Sequence, residues 1–275
     1  MHAVMRECVQ PYFVKDGVLQ EYGSFHMGLI NEGKSIYEVA RLSGTRLLFL
    51  DDHIDRLFTS LKLAGYESWL DIKEIHHHLN LLILKNQSPE GNVKFVMNFT
   101  PNQNPSFLAY FVAHHYPSAE DYKNGVRVIT FPFERTDPNK KVWRPEFRRK
   151  VTDEIREKEA FEALLTDANG MFPEASKANV FGVKKGRIIT PPDELILPGV
   201  TRKYVLSACR ELNIPVEMRT IALDEIKDLD ALFLTGTSIH VLPVRKVNET
   251  ELSIQNTTVG EIMKQLERKI KTHLK

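Results

Sequence analysis

The sequence predicts an α+β protein, with a mixed barrel as one form its strands can take, rather than a doubly wound parallel sheet. Strand-like and helix-like segments are interspersed without strict βαβ alternation. Several pairs of strand-like runs are separated by turns or loops short enough for hairpins. A hydrophobic share of 42% over 275 residues is enough for a substantial core, in one large domain or two small ones.

In chain order, residues 36–42 and 46–50 read as strands joined by a tight turn at Ser43-Gly44. Asp51 then reads as a helix N-cap, because its short side chain can accept from the unpaired N–H groups of a first turn. Ile54, Leu57, Phe58 and Leu61 follow at helical spacing. A second helix is expected over residues 70–84, and residues 92–99 and 107–114 read as strands flanking a loop at 101–105. The polar stretch 118–124, followed by Gly125, reads as a linker between an N-terminal domain of residues 1–117 and a C-terminal domain of residues 125–275. Beyond it, residues 126–133 are strand-like, 146–159 form a strongly charged, solvated helix, and 161–166 form a further strand. Residues 180–183 and 187–190 make a hairpin around Lys185-Gly186. A helix follows over 201–212, then shorter strands, then an amphipathic helix over 259–274.

Charge is balanced, with 37 basic and 36 acidic residues, so nothing global calls for nucleic acid, an anionic membrane or a polyanionic substrate. Cys8 and Cys209 are too few for a disulfide framework and read as two reduced thiols of a cytosolic protein. Residues 1–13 mix His, Arg, Glu and Gln with apolar residues and lack the pattern of a signal peptide. Apolar runs such as 81–84 are far too short to span a bilayer. The expectation is a soluble cytoplasmic protein. His76-His77-His78 has diverging ring vectors on a helix and no acid or cysteine at ligand spacing, so no metal is expected.

One stretch points to chemistry. Residues 171–181, Met-Phe-Pro-Glu-Ala-Ser-Lys-Ala-Asn-Val-Phe, put a carboxylate, Glu174, into a bend of small residues between strand-like runs. Leu197-Pro198-Gly199-Val200-Thr201-Arg202 then opens a helix. A lone acid facing a helix start suits a ligand with a protonated ring nitrogen at one end and a phosphate at the other. Pyridoxal 5'-phosphate is such a ligand.

Five segments in order resemble the class IV aminotransferases, the pyridoxal-phosphate enzymes of fold type IV. That family includes branched-chain and D-amino acid aminotransferases and aminodeoxychorismate lyase. The first segment is Ile36-Tyr37-Glu38-Val39-Ala40-Arg41 with Asp52-His53-Ile54-Asp55-Arg56-Leu57, and the second is Asp137-Pro138-Asn139-Lys140-Lys141-Val142. The third is Glu162-Ala163-Leu164-Leu165-Thr166-Asp167, running on through Glu174, Ala175, Ser176, Asn179, Val180 and Phe181. The fourth is Thr190-Pro191-Pro192 with the helix-opening run at 197–202, and the fifth is Phe233-Leu234-Thr235-Gly236-Thr237, ending near Pro243-Val244. The resemblance implies a small N-terminal α/β sandwich, a larger C-terminal barrel-like domain, a cofactor in the cleft between them, and a homodimer.

The chemistry needs a lysine that forms a Schiff base and shuttles a proton. Lys141 lies 26 positions before Asp167, an interval similar to the family's, and its partial burial is expected to lower its pKa. Lys140 is its rival, since neighbours on a strand face opposite ways. Lys150 sits on a charged segment beside Arg148 and Arg149. The basic run 140–150, which contains Trp143 and Phe147, reads as a solvated face around the active lysine. By the resemblance, Glu174 pairs with the pyridine nitrogen. Val200 and Thr201 bind phosphate through backbone N–H groups and the Thr201 hydroxyl, Thr237 and Ser238 add hydroxyls, and Arg56 adds full charge. Tyr37 and Arg41, on one face of the first matching strand, line the substrate side.

The resemblance departs from the family at Ala175, where glycine is usual, and at Val142-Trp143-Arg144-Pro145 after the lysine. The expected activity is transfer of an amino group between a small α-amino acid, branched-chain-like or D-, and a 2-oxo acid. The alternatives are an aminodeoxychorismate lyase releasing pyruvate and a non-catalytic binding protein on the same fold.

Overall fold

The computed structural model describes residues 7–275, which form two compact units. Of the N-terminal stretch read for a signal peptide, residues 1–6 lie outside the described residues. One unit takes the chain up to His115 together with Lys140–Pro145, and the other takes Tyr116–Asn139 and Glu146–His273.

The first unit is an antiparallel sheet with helices. Its strands are β1 (Tyr12–Lys15), β2 (Val18–Glu21), β3 (Lys34–Ser43), β4 (Arg46–Leu47), β5 (Glu90–Phe99) and β6 (Ser106–Val112), in the order β2-β1-β6-β5-β3-β4. Its helices are α1 (Gly28–Asn31), α2 (Leu50–Leu63) and α3 (Ile72–Asn86). Side chains alternate across a strand, so β3 serves two cores. Ile36, Ala40 and Leu42 pack with Ile54, Leu57 and Leu61 of α2 and with Ile75, Leu79 and Leu82 of α3. Tyr37 faces the other way and packs with Phe13, Ile30, Val96, Leu108 and Tyr110. Both faces are covered, which is why β5 is buried from Gly91 to Asn98 without alternating exposure, its polar Asn92, Lys94 and Asn98 included.

Helix α2 starts one residue before the predicted cap. Its N-cap is Phe49 in the left-handed conformation, φ 53°, and Asp51 sits in the first turn. Leu47, Leu48 and Phe49 are all buried, so the chain turns into the helix on an apolar corner instead of a polar cap. Asp51 and Asp52 there favour the positive end of the helix dipole. Helix α3 begins on a capping box, with Asp71 accepting from Glu74 N–H at 2.8 Å and Glu74 accepting from Asp71 N–H at 2.7 Å.

The second unit opens with α4 (Ala119–Asn124), where the sequence reads a linker. Ser118 and Asp121 form a capping box there, and the Tyr122 hydroxyl donates to Ile239 O at 3.0 Å, so the polar stretch is folded. The unit continues with β7 (Val126–Pro132), α5 (Pro145–Glu157), β8 (Glu162–Thr166), β9 (Met171–Phe172), β10 (Glu174–Ala175), β11 (Asn179–Lys184) and β12 (Arg187–Thr190). It ends with α6 (Val200–Glu211), β13 (Val216–Met218), β14 (Ile221–Ala222), β15 (Ala231–Gly236), β16 (His240–Val247), β17 (Thr250–Glu251) and α7 (Thr257–Leu274). Strands pair in the order β10-β8-β7-β16-β15-β11, and β10 also pairs with β11. The ring closes, so the expected barrel is present, while β12 and β13 continue the sheet beyond β11 and β17 adds to β16. Helix α5 is not wholly solvated: Phe147 and Val151 are buried with Ile129, Ala163 and Leu165. Helix α7 buries Val259, Ile262, Leu266 and Ile270, a single stripe at helical spacing.

Candidate active site

In the first unit, Lys141 lies in an extended run whose next residue, Val142, bridges to Ile36 of β3. Lys141 O accepts from Tyr37 N–H at 3.1 Å, and Lys141 N–H donates to Ser60 Oγ at 3.2 Å. These bonds fix the backbone on both sides of the residue. The side chain is half-buried, with Nζ 5.0 Å from the centroid of the Tyr37 ring. Trp143, two residues on, meets the same ring edge-on at 5.7 Å. Tyr37 therefore stands beside Lys141, whereas Arg41 is half-buried about 13 Å further along the strand, opposite Asn92. Lys140 is also half-buried.

On the helix-facing side of β3, Glu38 is fully buried. Arg56 of α2 donates to both its oxygens at 2.7 Å, and the His53 Nδ1–H donates to one at 2.8 Å. Burial opposes ionisation of Glu38, but the charge and paired hydrogen bonds of Arg56, with His53 adding, hold its carboxyl far below the usual carboxylate range. Burial likewise lowers His53 from its ordinary value, against the pull of Glu38. Arg56 is thus a cation aimed by an acid, with 12% of its side chain exposed.

In the second unit, Glu174 sits on β10, where the barrel closes, paired to Leu165 on one side and Asn179 on the other. It is 3% exposed. Arg135 Nε lies 2.9 Å from Glu174 Oε1, as an ion pair without hydrogen-bond alignment. Glu174 Oε2 accepts from Leu197 N–H at 3.2 Å, and Leu197 O accepts from the Asn179 amide at 2.9 Å. Three residues later α6 begins. Gly199 is its N-cap and has no side chain to spend on the first-turn N–H groups, and that turn contains no acid. A Cβ at Gly199 would come within 1.9 Å of Asn179 Oδ1, so glycine is what lets the helix start this close to β11. Val200 and Thr201 are buried, and Thr237 and Ser238 are half-buried in the turn after β15.

This half fits a phosphate-bearing ligand on two counts. The start of α6 presents N–H groups that no carboxylate competes for. Thr235, 1% exposed at the end of β15, has a hydroxyl with no hydrogen-bond partner among the described residues. The buried acid tied to that helix start suits a protonated ring nitrogen.

The structure thus groups Tyr37 with Lys141 and links Glu174 to the start of α6. It also supplies residues to which sequence reasoning gives no role. Glu38 and His53 stand inside a quoted segment, but nothing in spacing says that an acid on the core face of a strand meets a helix. Arg135 and Asn179 act through contacts far apart in sequence. The histidine run takes no metal arrangement: His76 pairs with Asp51 at 2.7 Å, and no His, Cys, Asp or Glu group among the described residues is set to hold an ion. Both cysteines are buried and unpaired, and burial pushes each thiol up to about 11.

Comparison with protein-family models matches residues 35–247 to the family described as amino-transferase class IV. The chain belongs to the class IV aminotransferases. The cofactor of that class is pyridoxal 5'-phosphate. A D-alanine aminotransferase from Bacillus licheniformis is 29% identical over 229 residues, 78% of this chain and 80% of that protein. The branched-chain-amino-acid aminotransferase-like protein 1 of Arabidopsis thaliana is 25% identical over 235 residues, 80% of this chain. The alignment spans 42% of that Arabidopsis protein. Among solved structures, the branched-chain aminotransferase from the thermophilic archaeon Thermoproteus uzoniensis with norvaline superposes with a TM-score of 0.83 at 21% identity. The match covers 96% of this chain and 96% of that one.

Proposed function

We propose that the chain is a pyridoxal-phosphate aminotransferase that moves the amino group of a small α-amino acid to a 2-oxo acid. The observation that carries this reading is the tie through Leu197 between buried Glu174 and the uncapped start of α6. Relatives named for branched-chain amino acids and for D-alanine support a small substrate.

Bound pyridoxal 5'-phosphate supplies a ring that takes up the electrons left when an amino acid loses its α-proton. Lys141 Nζ is the amine that tethers the cofactor and carries that proton. Its backbone, held by Tyr37 and Ser60, stays in place while the side chain and its amine move. Glu174 holds a proton at the ring nitrogen, and Arg135 lies beside Glu174 as its ion-pair partner. The N–H groups of Val200 and Thr201 bind the phosphate, with the hydroxyls of Thr201, Thr237 and Ser238. Arg56, aimed by Glu38, supplies the full charge. Tyr37 walls the substrate side next to Lys141, and Arg41 lies further along the same face of that strand. The aminotransferase reading includes a cytoplasmic homodimer. No helix among the described residues is long and apolar enough to cross a membrane.

The test is turnover of L- and D-amino acids with 2-oxoglutarate or pyruvate, together with borohydride trapping and mass spectrometry of the modified peptide. The cofactor is expected on Lys141. Lys141→Ala is expected to lose the trapped adduct and about a thousandfold or more of kcat. Trapping on Lys140 would move the assignment. Pyruvate release from aminodeoxychorismate without a 2-oxo acid would make the enzyme a lyase, and failure to bind the cofactor would end the reading.

A further inference from the structure

Trp143, one of the residues at which the chain departs from its family, has no part in the proposed chemistry, yet the first unit grips it. Its backbone N–H donates to Ser35 O at 2.8 Å, and its indole Nε1–H donates to Asn31 Oδ1 at 2.9 Å. The ring meets Tyr37 edge-on at 5.7 Å, and Lys94 Nζ stands over its face, 3.4 Å from the centroid. Lys94 is itself 2% exposed and paired with Glu7 at 2.6 Å, so the indole rests on a cation that is held from its other side. Lys140–Pro145 belong to the first unit, whereas Asn139 and Glu146 on either side belong to the second. The place of Lys141 therefore depends on what this short run grips.

The run offers two adjacent lysines, and its backbone presents one of them. Val142 N–H donates to Lys140 O at 3.0 Å, which closes a three-residue turn with Lys141 at its apex. Beyond the apex, Val142 packs with the helix-facing core and Trp143 with the core on the other side of β3. A shift by one residue would exchange those sides, set Val142 in the place of the indole and bring Lys140 to the apex. Valine has no N–H for Asn31 and no ring for Lys94, so the shifted run would forfeit both the hydrogen bond and the cation–π contact.

We propose that Trp143 is the positioning residue that selects Lys141 over Lys140 as the amine that takes the cofactor, by fixing which of the two stands at the apex of the turn. This rests on the reading of Lys141 as the reactive amine. Trp143 touches neither cofactor nor substrate in this role; it acts through the register of the run that carries the lysine.

Borohydride trapping of the full-length chain with pyridoxal 5'-phosphate, followed by mass spectrometry, tests this without any turnover. The amine adds to the aldehyde with loss of water, and the hydride makes the link permanent, so the modified residue reports which lysine stood at the apex. With Trp143 intact, Lys141→Ala is expected to carry no adduct on Lys140 above background. Adding Trp143→Ala to Lys141→Ala is expected to raise the Lys140 adduct about tenfold or more. Trp143→Phe in its place keeps a ring over Lys94 and is expected to restore most of the block. A merely structural loss would lower trapping everywhere and would not move it to Lys140. Equal Lys140 adduct with and without Trp143 overturns the proposal. If Trp143→Ala fails to fold, Trp143→Leu is expected to show a smaller gain of the same sign, and no gain there overturns the proposal equally. Wild type trapped on Lys140 would instead remove the reading of Lys141, whatever the Trp143 variants show.

Discussion

Glu38 and Glu174 are both buried carboxylates, and they are held in opposite ways. Glu38 takes its short hydrogen bonds from the side chains of Arg56 and His53 on a packed helix, and a longer one, 3.4 Å, from Val39 N–H. Glu174 takes one from a backbone N–H, that of Leu197, and sits on a strand clamped by partners on both sides. Glu38 aims another residue and is locked by side chains that mutation can remove. Glu174 is kept in position by strand pairing on both sides and by Leu197 N–H, with Arg135 ion-paired to one oxygen.

The largest expected effect separates these roles. Glu38→Gln strands a mostly buried guanidinium and is expected to cost about 3 kcal/mol of stability in urea unfolding, with weaker cofactor binding as Arg56 loses its aim. Glu174→Gln, whose partner Arg135 makes no aligned hydrogen bond to it and keeps its own bond to Ser176 O, is expected to cost about 1–2 kcal/mol and to lower kcat far more than stability. Equal stability losses, or a larger catalytic loss at Glu38, would break the contrast.

Gly199→Ala probes the backbone-built half next. The φ of −69° suits alanine, so the cost is steric: Asn179 must swing away and give up Leu197 O. A loss of about 1–3 kcal/mol and a weaker cofactor affinity are expected, read by thermal unfolding and by cofactor titration. Unchanged affinity would mean that the start of α6 does not carry the phosphate.

The smallest effect concerns pH. His53 is held below its ordinary value in the fold, so the folded protein binds fewer protons than the unfolded chain as pH falls below about 6.5. Stability therefore declines on that side, and Glu38, also depressed, adds to the decline only as pH falls below the ordinary carboxylate range. His53→Gln is expected to flatten the slope of unfolding free energy between about pH 6.5 and 5. An unaltered slope would show that His53 is already protonated in its pairing with Glu38.

The legibility of the two halves in sequence follows the same division. The Lys185-Gly186 hairpin is readable because backbone conformation restricts residue type locally, both residues having positive φ. The strands and the long helices are readable from their periods of burial. Residues 118–124 mislead because a capped polar helix and a linker share a composition, and only the reach of Tyr122 to Ile239 tells them apart. Asp51 misleads because the turn into α2 rests on buried Leu48 and Phe49, a tertiary fact. Arg135, Asn179 and the Lys94–Glu7 pair join residues 39, 18 or 87 positions from their partners, where no local rule operates.

The two-residue strand β10 is at once the closing stave of the barrel and the carrier of Glu174. Because successive side chains on a stave face inward and outward by turns, inserting a single residue between Phe172 and Glu174 sets two demands against each other. Either the seam slips and the acid is turned through the wall to its other side, or the extra residue bulges out and the acid stays. Insertion scanning across this seam, unlike point substitution, would therefore report whether ring closure or the direction of one carboxylate is the more strongly held.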